Sequence, residues 1–444
     1  MVGRPAAERP FVRLAARLAA VSLPRWRRIL IALYLLAVIG DTAGKALASN
    51  PAVNRAVARA LPARAAVEVT EARRPRGNFE IFRAAPGHLF AGEDLYAWYP
   101  DELQDQFKYS PAFAMLFTPF AWLPWTLALF LWGAVNAFAL FIAVERLLPQ
   151  RAALVALAFL LPEVLRAMQN AQSNALVAAL IIFAFVALER GRIWRAAAAI
   201  VFGAAIKLFP LAALSFAIPR RVAIRTGLVT AAASVLMLAL PLLVTPASTL
   251  ASQYRSWRAI EASDALLRLF SAMELVHRWG GVNWANWPIQ VVGTGILLAP
   301  LALRRERWTD PRFRLRYLCS LLLYVVLFNH MAERASFVIA FTGMAIWFAS
   351  EPRAAWRTAL FGLAFVTIPL MATVLPVPAF LTSETGTLYR VALPTLLIWG
   401  AMQWALWRRG ESEANARSDS GDEGRIGLEV GERPFGLPSP TAVS

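Results

Sequence analysis

The chain has 444 residues, of which 58% are hydrophobic and only 16% charged, with a formal net charge of +17. That is too apolar for an ordinary soluble domain. The arginines fall in short clusters between apolar runs, the positive-inside pattern of a polytopic membrane protein rather than a nucleic-acid surface. The lone cysteine, Cys319, sits in an apolar run and excludes both a disulfide framework and a cysteine zinc site.

Residues Met1 to Arg28 are basic and moderately amphipathic, and read as a cytoplasmic segment lying on the inner leaflet, with nothing resembling a cleaved signal. Ile29 to about Leu47 forms the first span. Asp41 lies inside it, at a cost of about 2.5–3.5 kcal/mol near a helix centre unless the carboxylate faces protein or water. A large outer loop is expected over 50–110. Its second half, from Gly77 to Phe113, is the densest polar stretch of the chain, with Glu80, Glu93, Asp94, Asp101, Glu102 and Asp105 interleaved with Tyr96, Trp98, Tyr99, Phe107 and Tyr109. Aromatic rings with polar tips suit the headgroup level of a bilayer, so this loop is expected to lie on the membrane with carboxylates held at that level. Ala112–Leu123 is too short to cross and reads as a surface or half-inserted helix, and Trp125 to about Val144 returns to the cytoplasm.

A short span over Ala152–Leu161 is expected to end at Pro162, leaving Pro162–Asn174 as a polar outer turn, before Ala175–Leu188 descends again. Ala196–Ile218 is flanked by arginine clusters on both sides. A single crossing would put one cluster outside and invert every later segment, whereas a hairpin broken at Lys207-Leu208-Phe209-Pro210 keeps all of them inside. Each arm is then about 11 residues, tolerable only where protein or a wet cavity lines the break. Further spans follow at Gly227–Val244, Ile289–Leu303, Leu315–Phe328, Phe337–Phe348, Thr358–Leu375 and Val391–Leu406, with outer loops at Pro246–Pro288, Asn329–Ser336 and Pro376–Arg390. The fold class is therefore an all-α polytopic membrane protein of about twelve membrane segments, counting both hairpin arms, with both termini in the cytoplasm. The membrane domain runs over 29–408, and the polar tail over 409–444 has the composition of a disordered segment.

This topology gathers several costly groups on the outer face: the carboxylate loop, the Gln172/Asn174 turn, Lys207 at the hairpin tip, and His330 with Glu333. The chain has three lysines, Lys45, Lys108 and Lys207, among 45 basic residues. Lysine at these polar–apolar boundaries supplies a compact point charge, and an ionisable group within an apolar run marks a functional site. No metal-ligand spacing, glycine-rich phosphate loop or nucleophile elbow is present, so no cofactor is required and a divalent metal has no support.

The segments NFEIF, FAGEDLY, FKYSPAFAMLFTPFAWLP, AQSNALVAALIIFAFVAL and AAIKLFPLAAL, in this order, resemble the motifs of glycosyltransferase family 87. That family's members have the C-type glycosyltransferase fold and are similar to polyprenol-phosphate-mannose-dependent α-mannosyltransferases. The resemblance covers about Ile29 to Leu406. It implies a polyprenyl-phosphate-hexose donor, mannose foremost, a lipid or glycan acceptor, and transfer at the outer face of the inner membrane with a loop carboxylate as base. Where the family's D-[FL]-x-[VI]-Y motif opens on its presumed catalytic aspartate, this chain has Asn78, which cannot take a proton. Glu80, Asp94 and Asp41 are then the candidate bases, with Asn78, Lys108, Tyr109, Gln172, Asn174, Lys207, His330 and Glu333 expected to contact the substrate or the donor phosphate. The His330 segment resembles a family position near that phosphate. The alternatives are a non-catalytic relative and a lipid-linked-sugar transporter or flippase; the latter would show inverted repeats and a midplane polar site, and no repeat is visible.

Overall fold

The computed structural model describes residues 22–60, 77–103, 105–371, 375 and 377–408. Most of the basic segment expected over 1–28, and all of the tail expected over 409–444, lie outside the described residues, as does the middle of the first outer loop. The described residues form helices joined by turns and loops, with no strand among them. Five helices are long and apolar enough to cross a membrane.

α1 (Leu23–Ser49) is the first of these, followed by α2 (Pro51–Ala60), α3 (Asn78–Ala91), α4 (Pro111–Trp122) and α5 (Trp125–Leu147). α6 (Gln150–Gln169), α7 (Asn174–Glu189) and α8 (Ile193–Ile206) come next. α7 is the axis of the bundle. All of Asn174–Leu188 except Phe183 is buried, and the helix is apolar all round, as a helix enclosed by other helices must be. At 16 residues it is short for a span, which a helix sheathed in protein tolerates. Its first turn is capped from outside: buried Asn136 of α5 accepts a hydrogen bond from Leu176 N–H at 3.2 Å.

The hairpin breaks where the charge clusters required. α8 ends at Ile206, Lys207 is extended, and the chain returns as a 3-10 helix over Phe209–Ala217. At about 1.5 and 2.0 Å per residue, neither arm reaches the thickness of a hydrocarbon core. The return is tight because Gly203 has no side chain: a Cβ there would lie 2.9 Å from Pro210 Cβ. Pro210, near the start of the second arm, presets its backbone.

The remaining helices are α9 (Ala223–Ala239), α10 (Ala247–Asp264), α11 (Ala272–Gly280), α12 (Asn286–Leu303), α13 (Pro311–Leu327), α14 (Phe337–Ser350), α15 (Ala355–Phe365, continued by a π-helical turn over Val366–Leu370), α16 (Ala379–Thr382) and α17 (Glu384–Trp407). α13 and α14 pack at close range, since a Cβ on Gly343 would meet Leu323 Cδ1 at 2.6 Å and Cys319 O at 2.7 Å. Several exposed tryptophans fall in the first or last turn of a helix, among them Trp122, Trp194, Trp279, Trp287, Trp356 and Trp404, where interfacial aromatics belong.

Three expectations are corrected. Pro162 does not end its helix: α6 runs through it to Gln169, and the polar turn shrinks to Asn170–Ser173. Proline removes one backbone bond, and the turn beyond it is held by an ion pair between buried Glu163 and Arg334. The loop expected over Pro246–Pro288 is largely helical, containing α10 and α11. The loop expected to reach Arg390 stops earlier, because Ser383 caps α17 by accepting from Gly386 N–H at 3.0 Å.

Candidate active site

One end of the bundle carries a cavity of about 480 Å³. Its walls come from the loop before α4 (Asp105, Gln106, Lys108, Tyr109), the hairpin tip (Ile206–Phe209, Leu211 and Ala212), one face of α10, and the α13–α14 link through Glu333. Asn78, at the start of α3, and Gln290 of α12 complete it.

Local chemistry fixes each wall. Phe82 of α3 is wrapped by Tyr109, Phe113, Phe117 and Trp132 at ring distances of 4.8–5.8 Å, which anchors the loop's far end. Ser110 caps α4 and donates to Ala205 O at 2.5 Å, tying the loop to the end of α8. The loop's near end is clasped by His88, whose Nδ1 and Nε2 lie 2.6 and 3.1 Å from Glu93 and Glu102. Gln253 of α10 donates to Glu93 O and accepts from Leu95 N–H, so α10 is fastened to the same loop. On α10, Trp257, Glu261 and Asp264 follow at i, i+4 and i+7 and share the face turned to the cavity.

Two ammonium groups and four carboxylates meet there. Lys108 Nζ pairs with Asp264 at 3.0 Å. Burial, with the Asp264 carboxylate adding, holds Glu261 above the ordinary carboxylate range. Burial pushes His330 down against the opposing pull of Asp264, and its Nε2 is buried without a partner. Burial likewise pushes the Tyr109 phenol up, with Glu333 and Asp105 adding, so it stays protonated. Glu333 accepts a hydrogen bond from Gln172 Nε2 at 2.9 Å. Gln172 is aimed by the turn after α6, where Ala171 takes a left-handed φ of 51° and its carbonyl accepts from Trp132 Nε1 at 3.0 Å. Lys207 makes no ion pair among the described residues and lies within electrostatic reach of Glu333. One rim is apolar, with Leu208 49% and Leu211 39% exposed beside Phe209 and Ala212.

Of the residues singled out in the sequence, Asn78, Lys108, Tyr109, Lys207, His330 and Glu333 line this cavity, and Gln172 stands one hydrogen bond behind Glu333. The three candidate bases do not line it. Glu80 accepts from Trp125 Nε1 at 2.5 Å. Asp94 accepts from Tyr96 N–H and Ser256 Oγ and borders a separate cleft with Ser252 and Gln253. Asp41 pairs with Lys45 at 2.8 Å, and Lys45 also donates to Met168 O at 2.6 Å, which answers the question of its intramembrane charge. Asn174 is fully buried away from the lining, with neither side-chain polar atom hydrogen-bonded. Sequence reasoning missed Glu261, Asp264 and Trp257. Their helical spacing was the available signal.

An array of fixed cations, a carboxylate held above its usual range and an apolar rim can bind a phosphate on a lipid chain and accept a proton beside it. The model of glycosyltransferase family 87 matches residues 107–329, half of the chain, which includes the end of the loop before α4, the hairpin, α10 and α13. No curated protein matches the chain.

Proposed function

The chain belongs to glycosyltransferase family 87 and is a multi-pass membrane glycosyltransferase, and on that premise we propose that it moves a hexosyl group, mannosyl foremost, from a polyprenyl phosphate to a hydroxyl of a lipid or glycan acceptor. The reading places the cavity at the outer face of the inner membrane with both termini in the cytoplasm. One observation carries it. Two of the chain's three lysines and four carboxylates converge in a cavity with a rim of Leu208, Phe209, Leu211 and Ala212. Lysines suit a phosphate, surplus carboxylates suit sugar hydroxyls, and the rim suits an isoprenoid chain.

In the proposed reaction the acceptor oxygen attacks the anomeric carbon and its proton passes to Glu261. The bond from anomeric carbon to phosphate oxygen breaks, and its electron pair leaves on the polyprenyl phosphate. Lys207 and Lys108 offset the charge that grows there. Glu261 is chosen because a base works best with a pKa near the operating pH, and its surroundings move it in that direction. Asn78 holds a sugar hydroxyl through its amide, and His330 offers its unpartnered Nε2 to the same ligand.

The test uses membranes containing the protein and radiolabelled polyprenyl-phosphate-mannose, following label into glycolipid. Glu261→Gln is expected to abolish transfer with donor binding intact, and Lys207→Gln to weaken donor binding. No transfer from this or any other lipid-linked hexose would overturn the reading. Loss of transfer in Glu80→Gln, Asp94→Asn or Asp41→Asn, with Glu261→Gln active, would move the base.

A further inference from the structure

A second cluster of charge lies behind the cavity wall. Glu163 of α6 is buried, 1% exposed, and forms a two-pronged pair with Arg334 at 3.0 and 2.6 Å. Arg334 also donates to Ile368 O at 2.6 Å. Two more arginines stand within electrostatic reach of this pair: Arg166, one turn along α6, and Arg390 of α17, which also feels Arg166. Among the described residues the Arg166 side chain donates only to a neutral partner, Gln169 Oε1, at 3.2 Å. Arg390 makes no hydrogen bond or ion pair among the described residues, and its Nε and Nη1 are buried without partners, as are Arg166 Nε and Arg334 Nε.

One carboxylate thus pairs with Arg334, with two further guanidinium groups in electrostatic reach and buried nitrogens left unpartnered on all three. Half-buried like charges repel, and unpaired buried donors cost free energy, so an anion that completes the arrangement would stabilise it. Guanidinium forks present planar pairs of donors, the geometry that phosphate oxygens accept. Depth decides what carries the phosphate. Arg166 lies about one turn before the end of α6, and Arg390 about two turns inside α17, and from such positions in a membrane helix a long basic side chain snorkels to the headgroups.

We propose that Arg166, Arg334 and Arg390 form a second anion site, distinct from the lysines of the cavity, which holds the phosphate of an anionic membrane lipid. The site does not depend on the sugar-transfer reading. It abuts the cavity, because Arg334 follows Glu333 in the chain.

The experiment uses the full chain purified in detergent, with thermal unfolding followed as phosphatidylglycerol, phosphatidylcholine or inorganic phosphate is added. The wild type is expected to be stabilised by phosphatidylglycerol and not by phosphatidylcholine. Arg390→Gln and Arg166→Gln should each need about tenfold more phosphatidylglycerol for the same shift, the loss of roughly one charge-assisted contact. Without lipid, neither variant should be less stable than the wild type, since each removes an unpaired cation and not a structural one. Lipid adducts counted by native mass spectrometry should fall by one in both variants. Inorganic phosphate matching phosphatidylglycerol at equal concentration would keep the anion site and overturn a lipid as its source. Equal lipid shifts in the wild type and both variants, no shift in the wild type, or destabilised lipid-free variants would overturn the site itself.

Discussion

The ion pair between Glu163 and Arg334 gives the most demanding test of the packing. Glu163→Gln keeps the shape of the side chain and removes its charge. Arg334 then retains Ile368 O, loses its counterion, and faces an amide N–H where an oxygen stood. Breaking a buried pair from one side costs about 3–5 kcal/mol, most of it the penalty for the orphaned charge. Exposures of 1% and 11% leave little solvent to screen it. Arg166 and Arg390 add to the loss, because Glu163 lies within electrostatic reach of both and offsets their repulsion with Arg334. At about 2–4 °C per kcal/mol for a large domain, the unfolding midpoint should fall by on the order of 10 °C. The assay is thermal unfolding in one detergent at fixed pH, with Arg334→Gln and the double variant measured alongside. The double variant should be more stable than the sum of the single losses predicts, since neither member of the pair is left facing the other's empty place. A single variant within about 1 °C of the wild type would refute the reasoning, because it would mean that water already screens the pair.

Glu261→Gln should lower kcat by about 10²–10⁴-fold. Because burial and Asp264 hold Glu261 above the ordinary range, activity should be lost as pH falls through that raised value, and Asp264→Asn should move this acid limb to lower pH by removing a like charge and freeing Lys108; an unmoved limb in the rate–pH profile counts against Glu261 as base. Gly343→Ala should cost about 1–3 kcal/mol, since its Cβ would meet backbone Cys319 O at 2.7 Å, whereas Gly227→Ala, with open space around it, should cost nothing; unfolding midpoints compare the two. Ser110→Ala removes the cap of α4 and the bond to Ala205 O, costing about 1–2 kcal/mol and raising the donor KM as the loop loosens from the hairpin.

Apolar run length and arginine placement made α1, α5, α7 and the break at Lys207–Pro210 legible before any coordinates, because both follow from the cost of putting charge and irregular backbone in hydrocarbon. The continuation of α6 through Pro162 was not legible. What holds it is Arg334, distant in sequence, and no local pattern announces a partner that far away. The carboxylates of the first outer loop drew attention by their density, yet density does not say which are already engaged. Glu93 and Glu102 clasp His88, and Glu80 serves Trp125. Glu261 and Asp264 were hidden for the opposite reason: α10 is polar, so it carries no hydropathy signal, and its fastening to the first loop through Gln253, Ser256 and Asp264 brings it over the cavity.

The exposed Leu208 and Leu211 at the foot of Lys207 have a kinetic consequence. On the proposed reading, a cavity with this apolar rim would take a lipid-linked donor from a two-dimensional pool. Its occupancy then follows the mole fraction of donor in the surrounding lipid and not the amount per litre of suspension. Diluting the membrane with inert lipid should slow turnover, while diluting the suspension with buffer should leave it unchanged. On the same reading the spent polyprenyl phosphate would return by that path and compete with fresh donor there, which would make effective saturation a property of the surrounding bilayer.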